Sequence, residues 1–414
     1  MTVDVAPPPV APQPPATLPG YAEERVHTAL FWLAIVAVVL GALFIGASRV
    51  WSSQAPKLVT FPLFDQTAVM SGTLTYHVDP DTLVPLQTPS VIGFHDERRV
   101  QTPGQLDFQD VVVSTDAVTL DGSRHTTLTS QYLVDIRTLK NLGSANAWSF
   151  AGGNTADRSA AYSVNLPLDS GSGPFQIWLN EADRAYTFTQ VGQPFVENGV
   201  TVMRLRGHLD GAPVDAQFMT QLARAGVPAG MTLRQLRSAV EALGVHLDGA
   251  FPAMPATLSN SEVATLLDHI PLDYTMSADT TLLVEPRTGT IVSVENMAEA
   301  FSGHLDAARL HALAALFDNH RSSAGMQTGA AAVTKLAAVP DAPVFDLHYA
   351  QTPASVRTLS GYAANQRDWI NRMTRVIPTT LFAVGIGLIA LGALCGAVAW
   401  RRRNVVGAYW WEEE

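Results

Sequence analysis

Three histidines and two aspartates crowd the stretch "HLDAARLHALAALFDNH": His304, Asp306, His311, Asp318 and His320. Imidazole and carboxylate are donors that hold zinc and related ions. Helical spacing puts His304 and His311 on one helix face, two turns apart. The same spacing is found on any amphipathic helix with solvated histidines, and that is the reading adopted: no metal and no other cofactor is expected. Asp79 and Asp81 flank Pro80 and could touch calcium, but aspartates in such a position bond their own backbone. A capped turn is expected there. H-E-x-x-H and the phosphate-cradling G-x-x-x-x-G-K-S/T are absent, and Ser172 in "DSGSG" fails G-x-S-x-G because position 170 is serine. Carboxylate pairs for glycoside hydrolysis are defined by separation in space and leave no sequence mark. No catalytic residue is assigned, and the chain is read as a non-enzyme.

A different set of side chains suits binding rather than reaction. Phe218, Met219, Leu222, Met231, Phe251 and Met254 gather flexible and aromatic apolar groups in one region, roughly Val214–Leu272. Thioether and phenyl side chains adapt to irregular apolar surfaces, so these six are the candidates for contact with an apolar ligand. The alternative is that they pack helices onto a sheet.

The elements that must position them can be read from periodicity. Thr232-Leu233-Arg234-Gln235 and Ser259-Asn260-Ser261-Glu262 match the capping box, so each opens a helix. Leu233, Leu236, Val240 and Leu243 then recur at helical spacing, as do Val263, Leu266 and Leu267, which makes this region a helical insertion. Around it, "KLVTFPL", "GTLTYHV", "QDVVVSTDAVTL", "TTLTSQYLVDI", "GPFQIWLN", "RAYTFTQVG" and "VTVMRLRGHL" are strand-like. Asn198-Gly199 and Pro286-Arg287-Thr288-Gly289 are turn signals, the latter closing the hairpin "TTLLVEPRTGTIVSVEN". "HLDAARLHALAALFDNH" and "ASVRTLSGYAANQRDWINRMTRV" read as further helices, the last with Pro378 as a kink. The fold class is α+β, mostly antiparallel.

Two uncharged runs bracket this domain, His27–Ser48 and Pro378–Trp400. At about 1.5 Å per residue the second spans roughly 34 Å, enough for a hydrocarbon layer of about 30 Å. The first is too long for a signal-peptide core and lacks a basic cluster ahead of it, so it reads as an uncleaved anchor. Arg401, Arg402 and Arg403 mark the cytoplasmic side. The expected order is a proline-rich, extended cytoplasmic tail (1–26), a membrane helix (27–48), an extracytoplasmic domain (49–377), a second membrane helix (378–400) and a short cytoplasmic tail (401–414). A formal net charge of −11, with Lys57, Lys140 and Lys335 the only lysines, excludes nucleic acid as a partner. The single cysteine, Cys395, lies in the second span, so the domain contains no disulfide and must be held by its core. Membrane lipids and a protein of the envelope are the expected partners.

"RSAAYSVNLPL", "GPFQIWLNEADRAYTFTQVGQPFVENGVTVMRLRG", "LLVEPRTGTIVSVEN" and "ASVRTLSGYAANQRDWINRMTRVIP" occur in that order. In this the chain resembles the actinobacterial "porin PorA family" of membrane-anchored proteins of unknown function. The resemblance implies an envelope protein anchored at both ends and carries over no catalytic residue. A lipid-facing barrel needs repeated strands of about ten residues with an apolar outer side, and strands of that kind are not expected. The layout, a β-rich domain tethered at both ends, is also similar to that of class B scavenger receptors. The leading expectation is a domain that binds or passes on an apolar ligand such as an envelope lipid. A scaffold or partner subunit is the alternative, with an envelope hydrolase or a pore component behind it.

Overall fold

A computed structural model describes residues 19–58, 65–81, 83–106, 109–135, 138–143, 147–150, 157–159, 161–242, 258–267, 269–320, 324–338 and 341–409. In chain order the elements are α1 (Pro19–Leu58), β1 (Asp65–Val78), β2 (Pro85–Leu106), β3 (Gln109–Leu120), β4 (Arg124–Asp135), β5 (Phe175–Leu179), β6 (Arg184–Gln190), β7 (Phe195–Glu197), β8 (Val200–Pro213) and α2 (Ala216–Arg224). Then follow β9 (Gly230–Met231), α3 (Leu233–Ala242), α4 (Asn260–Leu267), β10 (Ile270–Glu285), β11 (Thr290–Leu305), α5 (Ala307–Asn319), α6 (Ala324–Ala337), β12 (Ala342–Gln351), α7 (Pro353–Asn371), a π-helical turn (Arg372–Val376) and α8 (Ile377–Tyr409). Contacts divide the chain into two units, Thr60–Asp368 and the two ends, Met1–Val59 with Trp369–Glu414.

The larger unit is one curled antiparallel sheet in the order β4-β3-β2-β1-β12-β11-β10-β8-β6-β5, with β7 on β8 and β9 on β10. Its two edges do not stay open. Gln131 of β4 exchanges backbone hydrogen bonds with Trp148 at 2.7 and 3.0 Å, and Asn141 N–H donates to Ala161 C=O at 2.9 Å. Tyr162 N–H then donates to Gln176 C=O at 2.8 Å on β5. This irregular seam satisfies the edge groups that an open sheet would leave bare. Arg158, 2% exposed, lies over the Tyr132 and Trp178 rings from either edge, at 5.5 and 5.3 Å, and donates to Ser149 Oγ at 2.6 Å.

Alternation along the strands sends apolar groups inward. Met70, Leu74, Phe188, Leu205, Met276, Phe301 and Phe345 are all buried. Outward stand Thr73, His95, Glu97, Arg99, Arg206 and His208, all exposed, with Arg206 and His208 reaching Asp279 at 3.4 and 3.1 Å. Strands of 10 to 22 residues are present. Their apolar side faces in, the reverse of a lipid-facing barrel. Gly72 sits between Phe94 and Tyr349 in the ladder. A Cβ there would strike the His348 backbone, and the two flanking rings close over the gap at 5.1 Å between centroids.

The helical insertion begins at α2, capped by Asp215, whose Oδ1 accepts from the Gln217 and Phe218 N–H groups at 2.9 Å. Both capping boxes form. Gln235 Oε1 accepts from Thr232 N–H at 2.8 Å and Glu262 Oε2 from Ser259 N–H at 2.8 Å, with the reciprocal bonds at 3.3 and 3.4 Å. Asn198 and Gly199 both take positive φ, 46° and 80°, which is the backbone a two-residue hairpin between β7 and β8 requires. Residues 243–257, which include Leu243, lie outside the described residues.

In the smaller unit α1 and α8 run antiparallel: Ser48 Oγ donates to Pro378 C=O at 2.7 Å and Trp51 Nε1 to Met373 C=O at 2.8 Å, while Gly392 lies beside Ala34 and Val38. Small residues make that approach. A Cβ on Gly41 would lie 2.6 Å from Gly385 O and from Ile389 Cγ1. Phe31, Trp32, Leu43 and Leu394 are more than half exposed, a surface suited to hydrocarbon rather than water. Both helices are long and apolar enough to cross a membrane. The helical backbone starts at Pro19, inside the segment expected to be extended, and α1 runs on through Lys57 and Leu58, so "KLVTFPL" does not begin as a strand. The disturbance expected at Pro378 is the π-helical turn just before it. Proline has no N–H to give to the preceding turn, and widening accommodates the loss.

Candidate functional site

Two cavities lie inside the sheet, of about 50 and about 170 Å³, and Arg98, Asp116 and Glu181 line both. Asp96, Arg98 and Asp116 come from facing stretches of β2 and β3, with Arg98 directly opposite Asp116 in the ladder. Arg98 Nε donates to Asp116 Oδ1. Glu181 follows β5, and Glu299 and Tyr349 reach the same space from β11 and β12. Four carboxyl groups thus surround one guanidinium in an otherwise apolar interior.

Burial dominates their ionisation. It pushes Asp96 up to about 7, with the Asp116 carboxylate adding to the effect. It also raises Glu181 and takes Glu299 well above the usual carboxylate range, Glu181 adding to the latter. Burial opposes the charge on Arg98, yet Asp116 and Asp96 more than offset it and hold the guanidinium more firmly protonated than usual. Asp96 and Glu299 are 3% and 2% exposed, and among the described residues Asp96 Oδ1 and Glu299 Oε1 have no hydrogen-bond partner. Charge left unpaired in such a setting costs several kcal/mol unless it is neutralised by a proton or matched by a cation.

The sequence model of a family described as Porin PorA matches residues 33–394. The chain belongs to the Porin PorA family. A search of the curated proteins finds no match. The family places the chain among membrane proteins of the cell envelope, in keeping with the two long apolar helices.

Of the six apolar side chains singled out from the sequence, Phe218 and Leu222 line the smaller cavity. Phe218 belongs to an aromatic stack, 5.1 Å from Phe150 and 6.3 Å from Phe301, which in turn stacks on Phe345 at 4.4 Å. Met219 and Met231 are buried in the same core but line neither cavity. Phe251 and Met254 lie outside the described residues. Arg401, Arg402 and Arg403 are exposed on α8.

The histidine reading needs correction. His304 is on β11 and not on a helix with His311, because Asp306 caps α5 and starts it at Ala307. His304 Nδ1 lies 3.2 Å from Asp341. His320 instead meets Glu262 at 2.9 Å; that bond, with those from Ser259, holds Glu262 down to about 2. Among the described residues no group of three such donors converges. Asp79 Oδ1 accepts from Asp81 N–H at 2.9 Å, a capped turn.

The buried charges form no motif in the sequence, because Asp96 and Arg98, Asp116, Glu181 and Glu299 lie far apart in the chain. A signal existed nonetheless. Asp96 and Arg98 fall on the register of Phe94 and Val100, Asp116 on that of Val112 and Val118, and Glu299 on that of Met297 and Phe301. Ionisable residues on the apolar parity of a strand are the mark of such a site.

Proposed function

We propose that the sheet unit is the extracytoplasmic, ligand-binding part of an envelope membrane protein. In this reading both termini are cytoplasmic, and the unit accepts an apolar ligand such as the chain of an envelope lipid. No catalytic step is assigned to it. The observation that carries the reading is the pair of adjoining cavities walled by Leu74, Phe94, Phe218, Phe301 and Phe345 on one side and by Met70, Ile177 and Leu282 on the other. A dry cavity of about 150 Å³ takes up benzene. The larger cavity, about 170 Å³, is of that size, with Gln66, Ser114, Asn165 and Asn180 among its apolar walls; it suits one short chain or the end of a longer one, and not a whole two-chain lipid. A water-filled pore through the sheet is the weaker reading, because its interior is filled by buried aromatic side chains and its outer face is polar.

Met219 and Met231, buried away from both cavities, favour a second reading in which the insertion only packs the sheet and the protein is a scaffold or subunit. The two separate on one preparation. Full-length protein extracted from its membrane is stripped and its bound molecules identified by mass spectrometry, alongside Leu282→Trp, which fills the larger cavity. A single-chain or chain-end ligand in the parent, lost in the variant with folding intact, is expected. Ligand-free parent protein would leave the scaffold. The topology is tested by reporters fused after Glu414 and within 258–263, expected to be active inside and outside respectively.

A further inference from the structure

Asp96 and Glu299 face one small cavity from β2 and β11, each almost wholly buried and each with an oxygen that no described residue bonds. Proteins seldom leave buried carboxylate oxygens unmatched, since the cost is that of a lost charge-assisted bond. Arg98 feels the charge of Asp96 but donates to Asp116. Around it stand Asp96, Asp116, Glu181 and Glu299, and with Asp116 bonded to the guanidinium an ionised Asp96 adds negative charge that Arg98 does not balance. A metal ion is a poor candidate, because among the described residues no three such donors converge. The rest of the wall is aromatic and aliphatic. Such a wall suits the methylenes of a ligand whose other end is cationic, and the aromatic faces add cation–π attraction.

We infer that this cavity binds the ammonium end of a short-chain or single-chain cationic amphiphile, with Asp96 as its counter-charge and a Glu299 carboxyl oxygen accepting one of its N–H groups. The inference rests on the apolar-ligand reading and adds to it the sign of the polar end. Protonation competes with the ligand. Asp96 shares its space with Asp116, Arg98 and Glu181 and feels Glu97 from the outer face of the same strand; its tendency to hold a proton up to about 7 means that it is charged above neutrality and neutral in acid. Helix α2 contributes only Phe218 and Leu222 to this wall. Binding should therefore strengthen as pH rises from 5 to 8.

The test uses the full chain in lipid nanodiscs, stripped of bound molecules, and three probes of equal length: n-hexylammonium, 1-hexanol and hexanoate. Affinity is measured by calorimetry at pH 5 and pH 8, with empty nanodiscs subtracted. At pH 8 the ammonium should bind roughly tenfold or more tightly than the alcohol, the scale of one charge-assisted contact. That advantage should vanish at pH 5 and in the Asp96→Asn/Glu299→Gln double variant, which removes charge without changing shape. Equal binding of ammonium and alcohol would overturn the inference while leaving the apolar-ligand reading in place. Preference for hexanoate would overturn it in favour of Arg98 as the anchor. Binding of none of the three would remove both readings. Circular dichroism of the double variant, expected to be unchanged, separates lost binding from lost fold.

Discussion

The helical pair and the curled sheet solve the same packing problem with opposite surfaces. In the pair, Ala34, Ala37, Gly41 and Gly385 face inward and Phe31, Trp32, Leu43 and Leu394 face out. In the sheet, Phe188, Phe301 and Phe345 face inward while Thr73, Glu97, Arg99 and Arg206 face out. Each outer face matches a solvent, hydrocarbon for the first and water for the second. Association of helices in lipid has no hydrophobic drive and relies on close backbone approach; the sheet gains from removing apolar surface from water. The lesson is that the location of bulk and smallness, rather than hydrophobic content, tells which solvent a unit meets.

The contrast breaks most visibly at the buried charges, which have no counterpart in the helical pair. Arg98→Met strands Asp96, Asp116, Glu181 and Glu299 together. A loss on the order of 3–5 kcal/mol is expected from urea unfolding at pH 8, shrinking at pH 5 where the carboxyls can take up protons. A next-largest effect, roughly 1–3 kcal/mol from overpacking, is expected for Gly41→Leu, which drives a side chain into Gly385 and Ile389. It should lower the yield of an Ala34→Cys to Gly392→Cys cross-link in a Cys395→Ala background, while the melting of the sheet unit stays put.

The pH dependence sharpens the picture further. Asp96 is raised in the folded state to about 7 from an ordinary value of 3.8. The native state then binds the proton more tightly than the unfolded chain, so this group's contribution is fully present below about pH 4 and is lost as pH rises through 7. Asp96→Asn should flatten that slope and raise stability at pH 8 by about 1–3 kcal/mol, read from melting curves across pH 4–8. The smallest effects belong to the solvated periphery. Thr232→Ala removes a cap at about 1 kcal/mol, whereas Thr73→Val on the outer face should stay within about 0.5 kcal/mol.

Much of the architecture was legible because it is written in local chemistry. The two capping boxes, the Asn198-Gly199 turn and the β10–β11 hairpin depend on neighbours within a few residues, and each formed where the pattern said. β2 escaped notice since "FHDERRV" carries charge on both faces. β12 was overlooked for a different reason: it follows two helices in the chain yet inserts between β1 and β11. Helix α6, "AGMQTGAAAVTKLA", has too little side-chain contrast to show a face. His304 was drawn into a helix it does not join because its neighbours continue the helical spacing, and only the Asp306 cap marks the boundary.

The sequence alone determined the solvent of each part, since an uncharged run long enough to cross hydrocarbon and strands of alternating polarity are properties of consecutive residues. It also determined where the two capping-box helices begin, because such a cap closes over three residues. Tertiary structure decided what the interior can do. The seam that joins β4 to β5, the meeting of Asp96, Arg98 and Asp116 with Glu181, Glu299 and Tyr349, and the cavity between them all depend on register across strands far apart in the chain. A carboxylate's neighbours in the sequence say how it is spaced along a strand; only the curl of the sheet brings four of them around one arginine, and only burial then turns them into groups that must find a proton or a cation.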